Sequence, residues 1–331
     1  MNRRKFISAS LGLGALAATA RLGALAEPRL TPHTLTGRAL GTTVSLLVLH
    51  ENAAQARRAL EDAMAEVQAV DALMSLYRSD SQVAILNRTG ELREPDARVL
   101  EILRYCQDLS ARTQGGFDIT VQPLWDAYTE AQQRGTLPSP EVLRDRRWRV
   151  DWRQLDVSQQ AVRLRGRGMA ITLNGVAQGY ASDRALAAVR RHGIEHALID
   201  AGEFDALGGK ENKAPWVLGI RHPRDANALA ARLALDTRAL ATSGDYETFF
   251  TPDFRHNHIF DPATGDSPTE LASASVLAPT ATQADGLSTA FMVLGAARSL
   301  AMAAALPGVD ALLIGKDGRR WRTPGLPELA A

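Results

Sequence analysis

The hydropathy pattern of the second half of this 331-residue chain holds six strand-like runs, at 196–200, 215–220, 232–236, 257–261, 272–278 and 309–314. Only one helix-like stretch, from Thr282 to Leu294, interrupts them. Parallel neighbours need a crossover of a dozen or more residues, usually a helix. One helix cannot serve six strands, so the pattern predicts an α+β fold with mainly antiparallel sheets and packed helices, not a doubly wound parallel sheet. The first half adds a strand at 41–49 and a helix from Asn52 whose Leu60, Met64, Val67, Val70 and Met74 fall on one stripe. After a polar segment, Ser75–Asn87, comes a second helix with Val99, Ile102, Leu103, Cys106 and Leu109 at spacings of three and four. A third, Gln178–Arg191, turns Tyr180, Leu186 and Val189 inward and has Gly193 as its C-terminal cap. The polar, Arg-heavy Gln132–Arg153 between two glycine-rich stretches reads as a surface excursion.

Cys106 is the only cysteine, which excludes an intramolecular disulfide and any cysteine-based cluster. Its place on the apolar stripe assigns it to packing. A metal, if there is one, is held by oxygen or imidazole.

Residues 1–26 read as an address. Arg3-Arg4-Lys5 precedes an apolar stretch, Phe6–Ala20, too short to span a bilayer, and Ala24-Leu25-Ala26 is a small-residue cleavage site. The pair Arg3-Arg4 before Lys5-Phe6-Ile7 looks like a twin-arginine export signal, which predicts a periplasmic protein starting near Glu27 and exported folded. No cysteine stands at the cleavage site, so no lipid anchor is expected. Cleavage leaves 34 basic residues against 37 acidic ones, a charge of −3 with neutral histidines. That balance argues against non-specific nucleic-acid binding and offers no polybasic patch to a membrane.

A Walker loop, a G-x-S-x-G elbow and an H-E-x-x-H motif are all absent. What remains is a set of local clusters. Asp285 and Thr289 are four apart at the start of the 282–294 helix, so their oxygens share a face. Two such oxygens are part of a hard-cation site, which Mg²⁺ completes with carbonyls, waters and substrate phosphates. His258 lies in the 257–261 run just before Asp261-Pro262 and the turn residues Thr264-Gly265; on a regular strand His256 would share its face. Asp245, after Ala241-Thr242-Ser243-Gly244, reads equally as a turn acid or a site acid.

Taken in order, GTT at 41–43, SLYRSDSQVAILN at 75–87, GGFDITVQPL at 115–124, LNGVAQGYASD at 173–183, LIDAGEFDALG at 198–208, ATSGDYE at 241–247, HIFDPATG at 258–265 and ADGLSTAFMVLG at 284–295 resemble the ApbE family of FAD:protein FMN transferases. The resemblance spans nearly all of residues 27–331 and implies one ApbE-like, T-fold-related domain there. It implies that FAD binds with Mg²⁺, that a Thr or Ser hydroxyl of a membrane-associated partner protein attacks the FMN-side phosphorus, and that AMP leaves. By the same resemblance Asp285 and Thr289 ligate Mg²⁺, Gly175 adds its carbonyl, and His258 is the candidate general base; the metal site is expected to be solvent-accessible, and Asp245 or Asp261 is the next candidate base should His258 fail. Thr43, Tyr77, Phe117, Asp118, Thr172, Gln178 and Asp245 then fall to the flavin nucleotide, and Tyr77, Phe117, Tyr180 and Tyr246 are candidate stacking rings.

The chain departs from the family at Thr172, where Asp is usual, at Gln178, where Lys or Glu is usual, and at Ala201 in the Ala201-Gly202-Glu203 turn. Two charged flavin contacts are thereby absent. LNGVAQGY with a twin-arginine signal also resembles the NosX branch, associated with flavinylation of the maturation protein NosR. Two other functions fit the same residues: a non-catalytic FAD carrier, and a Mg²⁺-dependent FAD pyrophosphatase in which water replaces the hydroxyl.

Overall fold

The structure, a computed structural model, describes residues 30–210 and 214–330; the expected export signal at 1–26 lies outside the described residues. The chain starts with a hairpin, β1 (Thr31–Ala39) and β2 (Thr42–His50), closed by Leu40 and Gly41, both at positive φ as a two-residue hairpin turn requires. Then come α1 (Ala53–Met74), α2 (Gln82–Thr89), β3 (Glu91–Arg93), α3 (Ala97–Arg112), α4 (Gln122–Gln132), α5 (Pro140–Arg147), β4 (Leu155–Val157) and β5 (Ala161–Leu164). The second half runs α6 (Ala177–Arg191), β6 (His196–Asp200), β7 (Phe204–Leu207), β8 (Trp216–His222), β9 (Asp225–Leu235), β10 (Ala239–Gly244), β11 (Leu271–Ala278), α7 (Ala281–Ala305), β12 (Asp310–Gly315) and β13 (Arg320–Arg322).

Eight strands form one sheet in the order β1-β2-β6-β7-β10-β11-β12-β13, β3-β5-β4 form a second and β8-β9 a ribbon, with every pairing antiparallel. The α+β expectation holds. One face of the large sheet packs on the helices: Val44, Leu46 and Val48 of β2 meet the buried stripes of α1, α3, α6 and α7. Its other face is covered by the ribbon, where Trp216, Leu218 and Leu233 lie on Leu240, Leu277 and Leu312. A smaller cluster gathers Leu124 and Tyr128 of α4 with Phe260.

The stripes of α1 and α3 are buried as expected, and Cys106 is among them, its thiol pushed up by burial. Gly193 follows α6 at φ +69°. In the polar excursion, α5 buries no residue. Within the polar stretch 75–87 a helix does begin, because the Ser81 hydroxyl accepts from the Ala84 amide and caps α2. The 282–294 helix starts one residue earlier and continues to Ala305 across Gly295, whose φ of +74° only glycine adopts readily inside a helix. It is apolar and long enough to cross a membrane, yet here it is a core helix packed on β10, β11 and α6.

One strand is corrected. Residues 257–261 form no strand beyond a single bridge between Asn257 and Phe249. The cause is local: the Asn257 side chain accepts from the Ile259 amide and donates to the Phe254 carbonyl, and such bonds compete with a ladder.

The centre of the large sheet has a seam. β7 and β10 share one registered pair, Phe204 with Leu240. Past it the Thr242 amide donates to the Glu203 carboxylate, so a side chain stands where a neighbouring strand would continue.

Candidate functional site

The seam opens toward the start of α6 and the first turns of α7. Gly179 of α6 makes the approach of these helices possible, since a Cβ there would lie 2.2 Å from the Ala281 carbonyl oxygen. The Asp183 carboxylate of α6 accepts from the Ala281 amide at 2.7 Å and the Thr282 amide at 2.9 Å, capping α7 from outside. Asp285 and Thr289 therefore stand one turn apart on a fixed face. The Asp285 Oδ2 accepts the Gly179 amide at 2.9 Å. Thr289 Oγ1 lies 3.5 Å from the Gly175 carbonyl oxygen and 3.1 Å from Ser243 Oγ, which is 2.8 Å from Ser288 Oγ. A Cβ on Gly175 would come within 3.0 Å of Thr289 Oγ1, so a glycine keeps this approach open. Gln178 lies against Gly202, with its Nε2 3.5 Å from the Leu40 carbonyl oxygen.

These atoms are hard oxygen donors. Burial, and then the Asp183 charge, push the Asp285 carboxyl above its ordinary range, against the pull of the Gly179 amide. Burial is also the main cause that raises Asp183 and Asp205, which adjoin each other. A cation would relieve this excess of buried acid. Among the described residues no three His, Cys, Asp or Glu side chains gather as a metal site. A cation here must rest on one carboxylate, the Thr289 hydroxyl and the Gly175 carbonyl, a set that fits Mg²⁺ with water and phosphate completing its shell. One expectation is corrected: Asp285 is only 4% exposed, so its carboxylate is a buried, hydrogen-bonded group and not a solvent-accessible one.

His258 is held elsewhere, on the segment that follows β10 in the chain. Its amide donates to the Thr248 carbonyl at 3.0 Å and its Nδ1 lies 3.1 Å from the same oxygen. A carbonyl only accepts, so His258 Nδ1 carries a proton turned to that oxygen. His256 does not share its face. Its Nδ1 lies 2.8 Å from Asp266 Oδ1, beside Tyr128.

The remaining candidates divide. Thr43 is exposed on β2, and Tyr77 is 82% exposed past the end of α1. Phe117 is buried in the core, with its amide donating to Thr113 Oγ1. Asp118, pushed up to about 6 by burial, accepts from the Thr120 amide and hydroxyl and the Trp152 amide, which commits its carboxylate to the local turn. Thr172 Oγ1 accepts the Asn174 amide and its own amide donates to Ile119. The fully buried Asp245 carboxylate pairs with Arg224 at 2.7 and 2.8 Å and lies 3.5 Å from the Lys316 ammonium. Tyr180 donates to Glu101, and Tyr246 packs over Gly244. The structure thus brings Gly175, Gln178, Asp285 and Thr289 together at the seam and places Asp118, Phe117 and Asp245 in supporting contacts. Ser243, Ser288, Glu203, Asp183 and Thr248 were missed as site neighbours. All but Thr248 stood inside quoted clusters, but nothing in their spacing announces contacts made between distant elements.

The chain is similar to known proteins over most of its length. The profile of the ApbE family matches residues 40–313. The FAD:protein FMN transferase of Treponema pallidum (strain Nichols) is 31% identical over 296 residues, which cover 83% of this chain and 82% of that protein. The transferase of the same description from Klebsiella pneumoniae (strain 342) is 29% identical, over 90% of this chain and 88% of its own length. Among solved structures, the ApbE protein of Thermotoga maritima superposes with a TM-score of 0.80 at 27% identity, covering 89% of this chain and 97% of that one. The flavinyl transferase ApbE of Pseudomonas stutzeri gives 0.77 at 28% identity, covering 89% and 95%.

Proposed function

Since this chain belongs to the ApbE family, we propose that it is a Mg²⁺-dependent FAD:protein FMN transferase, moving FMN from FAD to a Thr or Ser hydroxyl of a partner protein and releasing AMP. The observation that carries this reading is the meeting at the seam of the Asp285 carboxylate, the Thr289 hydroxyl and the Gly175 carbonyl, with His258 tied to Thr248 on the segment that follows β10. When bound, Mg²⁺ polarises the phosphoryl oxygens and neutralises charge on the leaving group. Asp285, Thr289 and Gly175 would hold it. The Ser243 and Ser288 hydroxyls hold the Thr289 hydroxyl in place. His258 takes the acceptor's hydroxyl proton at Nε2, because its Nδ1–H is turned to the Thr248 carbonyl. The acceptor oxygen bonds to the FMN-side phosphorus as the bond to the AMP phosphate breaks.

Residues 1–26 support export by the twin-arginine route to the periplasm, and the LNGVAQGY motif supports a membrane-associated acceptor of the NosR type. Changing Arg3 and Arg4 together to Lys should leave precursor in the cytoplasm; a normal periplasmic yield would remove the assignment. For the activity, the mature chain is incubated with FAD, Mg²⁺ and a NosR-type acceptor. Covalent flavin on the acceptor is the expected result. Free FMN and AMP alone would make the protein a pyrophosphatase, and unchanged bound FAD would make it a carrier.

A further inference from the structure

The segment from Thr248 to Ser267 has no regular element, yet it is tightly tied. Two short arms, 248–250 and 256–258, face each other: the Phe250 amide donates to the His256 carbonyl at 2.7 Å and the His258 amide to the Thr248 carbonyl at 3.0 Å, around the Phe249–Asn257 bridge. The fully buried Asn257 locks the second arm to Ser267, whose hydroxyl accepts the Asn257 amide and donates to its carbonyl, both at 2.8 Å. One carboxylate oxygen joins these parts to the body of the protein. Asp266 Oδ1 accepts the Tyr128 hydroxyl at 2.7 Å, the His256 Nδ1–H at 2.8 Å and the Ser267 amide at 2.7 Å. Tyr128 is itself fixed in α4, its ring centroid 4.9 Å from that of Phe250 and 5.2 Å from that of Phe260. Arg147 of α5 also donates to the Ala263 carbonyl of the intervening turn. The polar excursion, which looked like a surface ornament in the sequence, thus also ties the turn that follows the His258 arm.

We propose that Asp266, acting through His256 and Tyr128, is a positioning residue that sets the His258 imidazole in its orientation toward the acceptor hydroxyl. The proposal rests on the reading of His258 as the base. The physical link is short: with His256 tethered, the 256–258 arm keeps its register on 248–250, and that register puts His258 Nδ1 on the Thr248 carbonyl. Without the tether the arm slides or twists, and a reacting group displaced by about 1 Å loses up to about a hundredfold in rate.

The test compares the wild-type mature chain with Asp266→Ala, Asp266→Asn and Tyr128→Phe, each also in a His258→Ala background, with FAD, Mg²⁺ and the NosR-type acceptor. Asp266→Ala should lower kcat by about ten- to a hundredfold with KM for FAD unchanged. Asp266→Asn, which keeps an acceptor oxygen, should recover most of the rate, and neither change should matter once His258 is gone. Nitrogen-15 spectra of labelled histidine should show one His258 tautomer, protonated at Nδ1, in the wild type and a mixture in Asp266→Ala. An equal loss in the His258→Ala background, or an unaltered His258 tautomer in Asp266→Ala, overturns the proposal. If Asp266→Ala does not fold, Tyr128→Phe, which keeps the ring packing, should show the same pattern more weakly; an unchanged rate and tautomer there overturn it as well. The spectra need no flavin transfer. A wild type that transfers nothing, with a His258 tautomer that still answers to Asp266, would sink the transferase reading and leave the tether standing.

Discussion

The α6–α7 pair, with α7 packed on β10, and the 248–267 segment that follows β10 in the chain are held by different forces. The helices touch backbone to backbone at Gly179, and helical geometry alone sets the spacing of Asp285 and Thr289. The segment has no such period. His258 is placed by a bridge, by Asn257 and Ser267, and by a carboxylate bound to a tyrosine far away in sequence. Around the helices Asp183 of α6, Asp285 of α7 and Asp205 of the neighbouring β7 concentrate acid that burial raises, whereas Asp266 in the segment is fully supplied with donors. An acid-rich, preformed helical cradle suits a cation whose ligands must not move. A hydrogen-bonded arm suits a base whose ring must be aimed.

The comparison breaks first at Asp285. Asp285→Asn keeps an acceptor for the Gly179 amide but loses the charge that would hold the cation, so transfer should fall by about a thousandfold or more with the protein still folded. Asp285→Ala should also cost about 1–3 kcal/mol of stability, because it leaves a buried amide unpaired. A rate measured against Mg²⁺ concentration decides it, since an unchanged Mg²⁺ dependence in Asp285→Asn would move the cation elsewhere. Thr289→Ala should cost only about tenfold, water taking the place of a neutral hydroxyl.

His258→Ala should behave in the opposite way, retaining Mg²⁺ and FAD binding while the single-turnover rate drops by about 10²–10⁴-fold. If binding and rate fall together, the arm is part of the nucleotide pocket and not the proton acceptor.

The same contrast explains what could be read from the sequence. The stripes of α1, α3 and α6 and the shared face of Asp285 and Thr289 were legible because a period of 3.6 is written locally. The antiparallel architecture was legible because crossovers were missing. The 257–261 run was misread as a strand because its alternation is real while its hydrogen bonds go to Asn257 and Ser267. Strand β7, four residues long, and the seam beside it left no trace, since the partner of the Thr242 amide is the Glu203 side chain. Asp118 and Asp245 stood in family clusters, and spacing alone does not tell a ligand contact from a carboxylate spent on Trp152 or Arg224.

The smallest expected effect separates the two regions by sign. Burial, and next the Asp183 charge, hold Asp205 above its ordinary range in spite of the Ala206 amide and Arg190. In the unfolded chain such a carboxyl releases its proton near pH 4, so the folded metal-free protein keeps a proton that the unfolded one has lost. The stability contributed by Asp205 is complete below that pH and drains away as pH rises through the folded value. Asp266 runs the other way. Partial burial pushes it up, but the Tyr128 and His256 hydrogen bonds outweigh that and hold it below the ordinary range, so its contribution is present above the unfolded value and is lost as pH falls. Thermal melts of the metal-free protein across roughly pH 3 to 8 should therefore show Asp205→Asn gaining about 2–4 °C on the wild type toward the alkaline end, with no gain at the acid end. In the same series Asp266→Asn should differ from the wild type most above pH 4 and converge with it as the acid limit is approached. An Asp205→Asn gain that grows on acidification instead would mean that the acid beside α6 is ionised and satisfied, and the electrostatic half of the contrast between helix cradle and hydrogen-bonded arm would fall.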